Sequence, residues 1–235
     1  MRSLPLGGLH DILGDGIPVV LAPHPDDEVL GCGALLMAAV EENRQPLIVF
    51  VTDGSGSHPG SVKFPRAVLI AQRQREAREA ARIMGIAPER LHFLGVRDTS
   101  APRRGPEMEA VAASILALAA RERHPVLLAP WRLDPHGDHQ AVHEMAGTVA
   151  QRSGWRHLSY PVWGWTLPAR EELGEVQVEG WRFPVGRERS RKMEALYAHA
   201  SQWTDLIDDD PDGFRLDEET IRAMVSGDEV YLVNP

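Results

Sequence analysis

Cysteine is what this chain has least of: one residue, Cys32, in 235. A single thiol excludes an internal disulfide framework and a cysteine-rich zinc site. Basic charge is also in deficit, 25 Lys and Arg against 34 Asp and Glu for a net charge of −9. That balance carries no electrostatic footprint for nucleic acid or an anionic membrane. No apolar run approaches the length of a membrane span. Met1 to Leu9 holds an arginine, a proline and two glycines instead of the apolar stretch of a secretory leader. With no disulfides, the expectation is a cytoplasmic protein. Several catalytic signatures are missing too. There is no G-x-S-x-G elbow, no P-loop and no H-E-x-x-H helix. Gly31-Cys32-Gly33 supplies two glycines of a dinucleotide fingerprint, but Leu36 stands where the third belongs.

What is present is an alternation of apolar runs and amphipathic segments. Ile17 to Ala22 is short, β-prone and followed by Pro23 and Pro25, so it reads as a buried strand running into a non-helical loop. Val29 to Val40 is Ala/Leu-rich and helical. The same reading gives a strand over Pro46 to Thr52 and a loop to Pro65. A helix over Arg66 to Met84 follows, closed by Gly85, and then a strand over Leu91 to Leu94. A helix over Glu107 to Arg123, a strand over Val126 to Ala129 and a helix from Asp138, as N-cap, to Arg152 come next. This rhythm predicts an α/β domain with a mostly parallel sheet. The last third is less regular: strands over His157 to Trp165, Glu175 to Phe183 and Glu229 to Val233, and a helix over Arg187 to Gln202. No linker divides residues 1–235, so one domain is expected, its C-terminal third completing the sheet and walling the pocket.

Two loops carry chemistry. Pro23-His24-Pro25-Asp26-Asp27-Glu28 follows the first strand, and Asp134-Pro135-His136-Gly137-Asp138-His139 follows the strand at Val126. Open α/β sheets bind ligands at the carboxyl ends of their strands, which is where both clusters fall. His24 and Asp27, three residues apart, can meet one ion, and His139 can supply a third ligand while leaving a position for water. A two-histidine, one-carboxylate set suits Zn(II) and also Fe(II). Asp26 would then lie beside the water and His136 would face the same cavity, with His143 packing or orienting its neighbours.

At these residues the chain resembles the PIG-L/LmbE-like zinc-dependent N-deacetylases. The first cluster is similar to their A-H-P-D-D-E motif and His136-Gly137-Asp138-His139 to their H-x-D-H motif. Thr52-Asp53-Gly54, Arg73 with Glu76, Leu94 to Asp98 and Lys192 to Gln202 resemble further family segments, so the likeness runs from about Val19 to Gln202. The departures are Pro23 for alanine and Gly137 where proline is common. The resemblance implies a Rossmann-like three-layer α/β fold and one zinc per chain, bound by His24, Asp27 and His139. It implies Asp26 as general base, and His136 as the group that stabilises the oxyanion or protonates the leaving amine, oriented by Asp138. Arg73 and Asp98 fall at positions that contact sugar hydroxyls or phosphate, although a helix-surface salt bridge from Arg73 to Glu76 or Glu79 fits as well. The implied reaction removes an acetyl group from an N-acetylglucosamine-type sugar or glycoconjugate. An Fe(II) enzyme on the same ligands and a silent sugar-binding relative are the alternatives.

Two features stand outside that pattern. Tyr160, Trp163 and Trp165 either wall the sugar site or pack. Asp208, Asp210, Asp212, Gly213 and Glu219 follow a calcium-loop spacing, but Pro211 stiffens the loop and Arg215 replaces an apolar residue, so a solvated acidic turn is expected.

Overall fold

The structure is a computed structural model that describes residues 1, 3–167, 178–225 and 227–234. A short helix α1 (Leu9–Leu13) leads into β1 (Ile17–Ala22), α2 (Asp27–Glu41), β2 (Leu47–Thr52), α3 (Arg66–Met84) and β3 (Leu91–Val96). Then come α4 (Gly105–Ala119), β4 (Pro125–Pro130), α5 (Gly137–Ser153), β5 (Arg156–Tyr160) and β6 (Gly180–Phe183). The chain ends with α6 (Arg189–Tyr197), α7 (Ala200–Trp203), α8 (Glu218–Val225) and β7 (Glu229–Val233).

Seven strands form one sheet in the order β3-β2-β1-β4-β5-β7-β6. The first five are parallel, and β7 runs antiparallel to both β5 and β6. Every residue of β2 and β4 is buried, as is β1 beyond Ile17, the pattern of strands covered on both faces. One face packs against α2, α3, α6 and α8, through residues such as Leu35, Met84, Leu196 and Ile221. The other packs against Ala112 and Ile115 of α4 and Val142, Met145 and Val149 of α5. The mostly parallel sheet expected from the alternation is present, as is the three-layer architecture that the family resemblance implies. Its chain order reverses at β1, which has β2 on one side and β4 on the other. A crevice opens at such a switch point, and both motif loops leave the sheet there.

Local differences have physical causes. α2 starts at Asp27 rather than Val29, since acidic residues suit the first turn of a helix. α5 is capped by His136, not Asp138: His136 Nδ1 accepts the Asp138 N–H at 3.2 Å. The strand expected over His157 to Trp165 ends at Tyr160, and Trp163–Trp165 is a turn of 3-10 helix. The helix expected over Arg187 to Gln202 breaks between Tyr197 and Ala200. The Glu175 end of the expected strand lies outside the described residues, and β6 begins at Gly180. The acidic segment keeps Asp208 and Asp212 exposed but turns Asp209 and Asp210 inward. Asp209 accepts Ser61 Oγ at 2.6 Å and the Val62 and Lys63 N–H groups at 2.8 Å, and Asp210 accepts the Gly60 N–H at 2.8 Å. It clasps the loop after β2.

Candidate active site

The first loop is held by the neighbouring strand. Thr52 donates both its N–H, at 2.9 Å, and its hydroxyl, at 2.8 Å, to the Pro23 carbonyl. His24 then turns back on the first turn of α2, its N–H donating to Asp27 Oδ2 at 2.9 Å. That same oxygen lies 3.2 Å from His24 Nδ1 and 3.2 Å from His139 Nε2. One carboxylate oxygen thus stands between two imidazole nitrogens, one delivered by the loop after β1 and the other by the first turn of α5. Behind them, His139 Nδ1 is 3.3 Å from Asp134 Oδ1. Asp134 is itself tied down by the Val162 and Gly164 N–H groups, at 3.0 and 3.2 Å.

Whether these residues suit a metal is decided by what they lack. His139 is fully buried, yet neither ring nitrogen makes an aligned hydrogen bond. Burial alone would lower its pKa, but Asp27 and Asp134 raise it to about 9. Burial would raise the Asp27 carboxyl, and the His139 and His24 rings outweigh this and hold it well below the usual carboxylate range. A pocket whose carboxylates favour a proton on a buried imidazole equally favours a divalent cation in its place. Two imidazole nitrogens, one carboxylate oxygen and a carboxylate orienting the second imidazole form a donor set that fits Zn(II). Other convergent groups exist among the described residues. Ligand atoms of His24, His136 and His139 lie within 4.8 Å of one another, as do those of His24, Asp98 and Asp138.

Asp26, Asp27, His24 and His136 line one cavity together with Arg73, Asp98, Thr99, Ser57, Gln202, Trp163 and Phe214. Burial pushes the Asp26 carboxyl up to about 6, against the pull of the Arg73 guanidinium 3.2 Å away. Arg73 is not a helix-surface residue. It is 2% exposed and donates to the Gly54 carbonyl at 2.9 Å and the Pro25 carbonyl at 2.7 Å, so it braces the loop between β1 and α2. Gly54 makes room for it, because a Cβ there would lie 2.9 Å from Nη1. Glu76 and Glu79 have other partners, Ser201 and Arg82. Asp98 is drawn inward to His24 Nε2, at 3.1 Å, and to the Gly56 N–H, at 2.8 Å. Asp138 does not orient the His136 ring through its carboxylate. That group reaches His24 Nε2 at 3.2 Å and accepts the Thr99 and Ala101 N–H groups at 2.8 and 3.0 Å. His136, half-buried, has its pKa lowered by burial and by the His24 and His139 rings.

The profile of the PIG-L family, described as GlcNAc-PI de-N-acetylase, matches residues 19–150, more than half of the chain. The chain belongs to the PIG-L family. A 2'-N-acetylparomamine deacetylase from Streptomyces fradiae is 31% identical over 186 residues, 73% of this chain and 64% of that protein. This PIG-L chain therefore spans less than two thirds of the length of that relative. Among solved structures, N,N'-diacetylchitobiose deacetylase from Pyrococcus horikoshii superposes with a TM-score of 0.70 at 20% identity, over 97% of this chain and 87% of that one. A conserved protein from Thermus thermophilus gives 0.65 at 23% identity, over 93% and 94%. At those identities the likeness is one of fold.

Several residues of the PIG-L site escape a reading by motif. Asp134 sits inside the second cluster, but its partner, the far side of His139, is invisible in sequence. Gln202 ends the segment similar to the family's late motif, whereas Phe214 lies in the acidic loop with no signal at all. Trp163 lines the cavity, its ring 5.6 Å from that of Phe214. Tyr160 packs instead, fully buried with its hydroxyl donating to the Leu21 carbonyl at 2.9 Å. Trp165 lies outside the cavity lining. His143 stands apart from the cluster, its Nδ1 3.0 Å from the Pro130 carbonyl.

Proposed function

We propose that this chain is a zinc-dependent hydrolase that removes the N-acetyl group from an aminosugar or a glycoconjugate bearing one. The observation that carries the proposal is Asp27 Oδ2, 3.2 Å from both His24 Nδ1 and His139 Nε2 at the floor of the cavity that Asp26 and His136 line. His24, Asp27 and His139 would hold the ion. When bound, zinc lowers the pKa of a water and polarises the amide carbonyl, the two things an unreactive amide needs.

The chain's own groups do the rest. Asp26, fixed beside Arg73, takes the proton of the attacking water. An oxyanion stabiliser could be a charged imidazolium, but at His136 the cap argues for the neutral ring. Its Nδ1 accepts the Asp138 N–H, so the ring proton is on Nε2, and a second proton would break the cap. Neutral His136 donates from Nε2 to the carbonyl oxygen as that oxygen gains charge. The departing nitrogen needs a proton, and Asp26, which has taken one from the attacking water, is the cavity group that can return it. Trp163 and Phe214 offer apolar faces to a sugar ring, and Ser57, Thr99 and Gln202 offer polar groups to its hydroxyls. The Streptomyces fradiae relative, a 2'-N-acetylparomamine deacetylase, supports this choice of substrate.

The test is a screen of zinc-loaded protein against N-acetylated monosaccharides and disaccharides, sugar–thiol conjugates and glycolipid headgroups, read as free amine. Amine release from at least one class is expected. Metal-loaded protein silent across the panel would overturn the reading.

A further inference from the structure

Behind the cavity floor lies a polar pair that the reaction above does not use. Glu28 is fully buried in the first turn of α2, and its Oε2 accepts the backbone N–H of Asp26 at 2.9 Å. Its Oε1 lies 3.3 Å from Nε2 of His199, also fully buried, at the break between α6 and α7. Neither His199 nitrogen nor Glu28 Oε1 makes an aligned hydrogen bond. A buried pair of this kind adds little net stability, because desolvation offsets the attraction. Its geometry indicates another use.

Asp26 has φ 134°, a conformation that strains a side-chain-bearing residue and persists only where the surroundings impose it. Its N–H is the group that Glu28 holds. The orientation of that peptide decides where the Asp26 carboxylate points, which is beside Arg73 and into the cavity. His199 is in turn fixed from its own side. Ser201 donates its N–H to Glu76 Oε1 at 2.9 Å and its hydroxyl to Oε2 at 2.6 Å, and Gln202 N–H donates to the His199 carbonyl at 2.8 Å. The acidic groups around the ring are Glu28, Asp26 and Glu76.

We infer that His199 and Glu28 are a positioning pair that holds the Asp26 peptide at positive φ and so aims the Asp26 carboxylate at the substrate. The inference rests on Asp26 being the general base. Without the ring, Glu28 is free to turn from the Asp26 N–H, and the peptide relaxes.

The test compares the native chain with His199→Phe, which keeps a planar ring but removes both nitrogens, and with Glu28→Ala. Two readouts are needed. Hydrogen exchange at the Asp26 amide should accelerate by about 10-fold or more in each variant while the β1 amides keep their protection. With the substrate found by the screen, kcat should fall roughly 10-fold or more at near-constant KM and metal content. The double variant should be no slower than the slower single one, because the two residues act as a unit. His199→Gln, which restores an N–H toward Glu28, should recover part of both losses. Undiminished Asp26 protection in His199→Phe, or kcat losses that multiply in the double variant, would overturn the pair. If His199→Phe does not fold, Glu28→Gln decides by the same readouts, since it removes the charge facing His199; native exchange and native kcat would then reject the inference. A wild-type chain without deacetylase activity would contradict the proposed function alone and leave the exchange measurement as the test of the pair.

Discussion

Asp26 and Asp27 are neighbours of identical chemistry in different surroundings. Asp27 lies between two imidazoles that hold it ionised, whereas Asp26 lies beside Arg73 with its carboxyl pushed up to about 6 by burial. Removing each should therefore fail differently. Asp27→Ala is expected to weaken zinc binding severely, because an anionic ligand is lost. Asp26→Asn should keep zinc and fold but lose about 10²–10⁴ in kcat, the range for a general base. Metal titration and kcat on both proteins check this; zinc lost from Asp26→Asn and retained by Asp27→Ala would reverse the roles. His136 is the second discriminating residue, because its ring also comes within ligand range of His24 and His139. If it donates to the carbonyl oxygen, His136→Ala keeps its metal and loses roughly 10²–10³ in kcat. Loss of metal in that variant would move His136 into the ligand set.

At the scale of elements, α2 shows what a motif can and cannot reveal. The strand-loop-helix order around Pro23 to Glu28 was legible because prolines and an apolar run leave few alternatives. The use of Gly31 and Gly33 was not, because their partners are far away in sequence. A Cβ at Gly31 would lie 2.2 Å from Tyr160 Cδ2, and one at Gly33 3.2 Å from Lys192 Cγ. Gly31→Ala must therefore displace a fully buried ring, and overpacking of this kind typically costs about 1–3 kcal/mol. Denaturant unfolding should show a lower midpoint, and a midpoint equal to the parent's would mean that α2 and Tyr160 are not packed as described. Lys192 lies against Gly33 for a purpose. Its Nζ donates to the Leu30 carbonyl at 3.0 Å and to Glu229 Oε1 at 2.6 Å, and Glu229 accepts the Ala34 and Leu35 N–H groups at 2.7 and 3.0 Å. This ion pair, wedged against the second turn of α2, joins α6 to β7. The break at His199 was hidden for a similar reason. Ala198 and His199 are compatible with a helix, and only the buried contact with Glu28 shows why the chain turns there.

For the whole molecule, the parallel part of the sheet and the placing of both motif loops at the carboxyl ends of its strands followed from the alternation of apolar strands and helices. The antiparallel β7-β6 edge and the docking of the acidic segment on residues 60–63 did not, because they depend on pairings between distant, irregular stretches. Among the described residues no helix is long and apolar enough to cross a membrane. The stability of the fold should depend on pH through a histidine remote from the metal ligands. Burial lowers the pKa of His157 to about 3, with His143 adding to the effect. The unfolded chain binds a proton at this site below its ordinary pKa near 6.5, and the folded chain does not until about pH 3. Stability therefore falls as the pH drops through that window, by up to about 1.4 kcal/mol per pH unit for this group. His157→Gln should flatten the slope of unfolding free energy between about pH 6 and pH 4 by roughly that amount; an unchanged slope would mean that the ring protonates freely in the folded state.

The central claim, that water attacks an N-acetyl carbonyl in a zinc-dependent step, is tested most directly by isotope transfer. Single-turnover reaction of the zinc-loaded chain with its N-acetylated substrate in H₂¹⁸O should yield acetate carrying one ¹⁸O and one equivalent of free amine. The yield should collapse after chelation and return when zinc is restored. Acetate without the label, or labelled acetate formed at full rate by metal-free protein, would contradict the account.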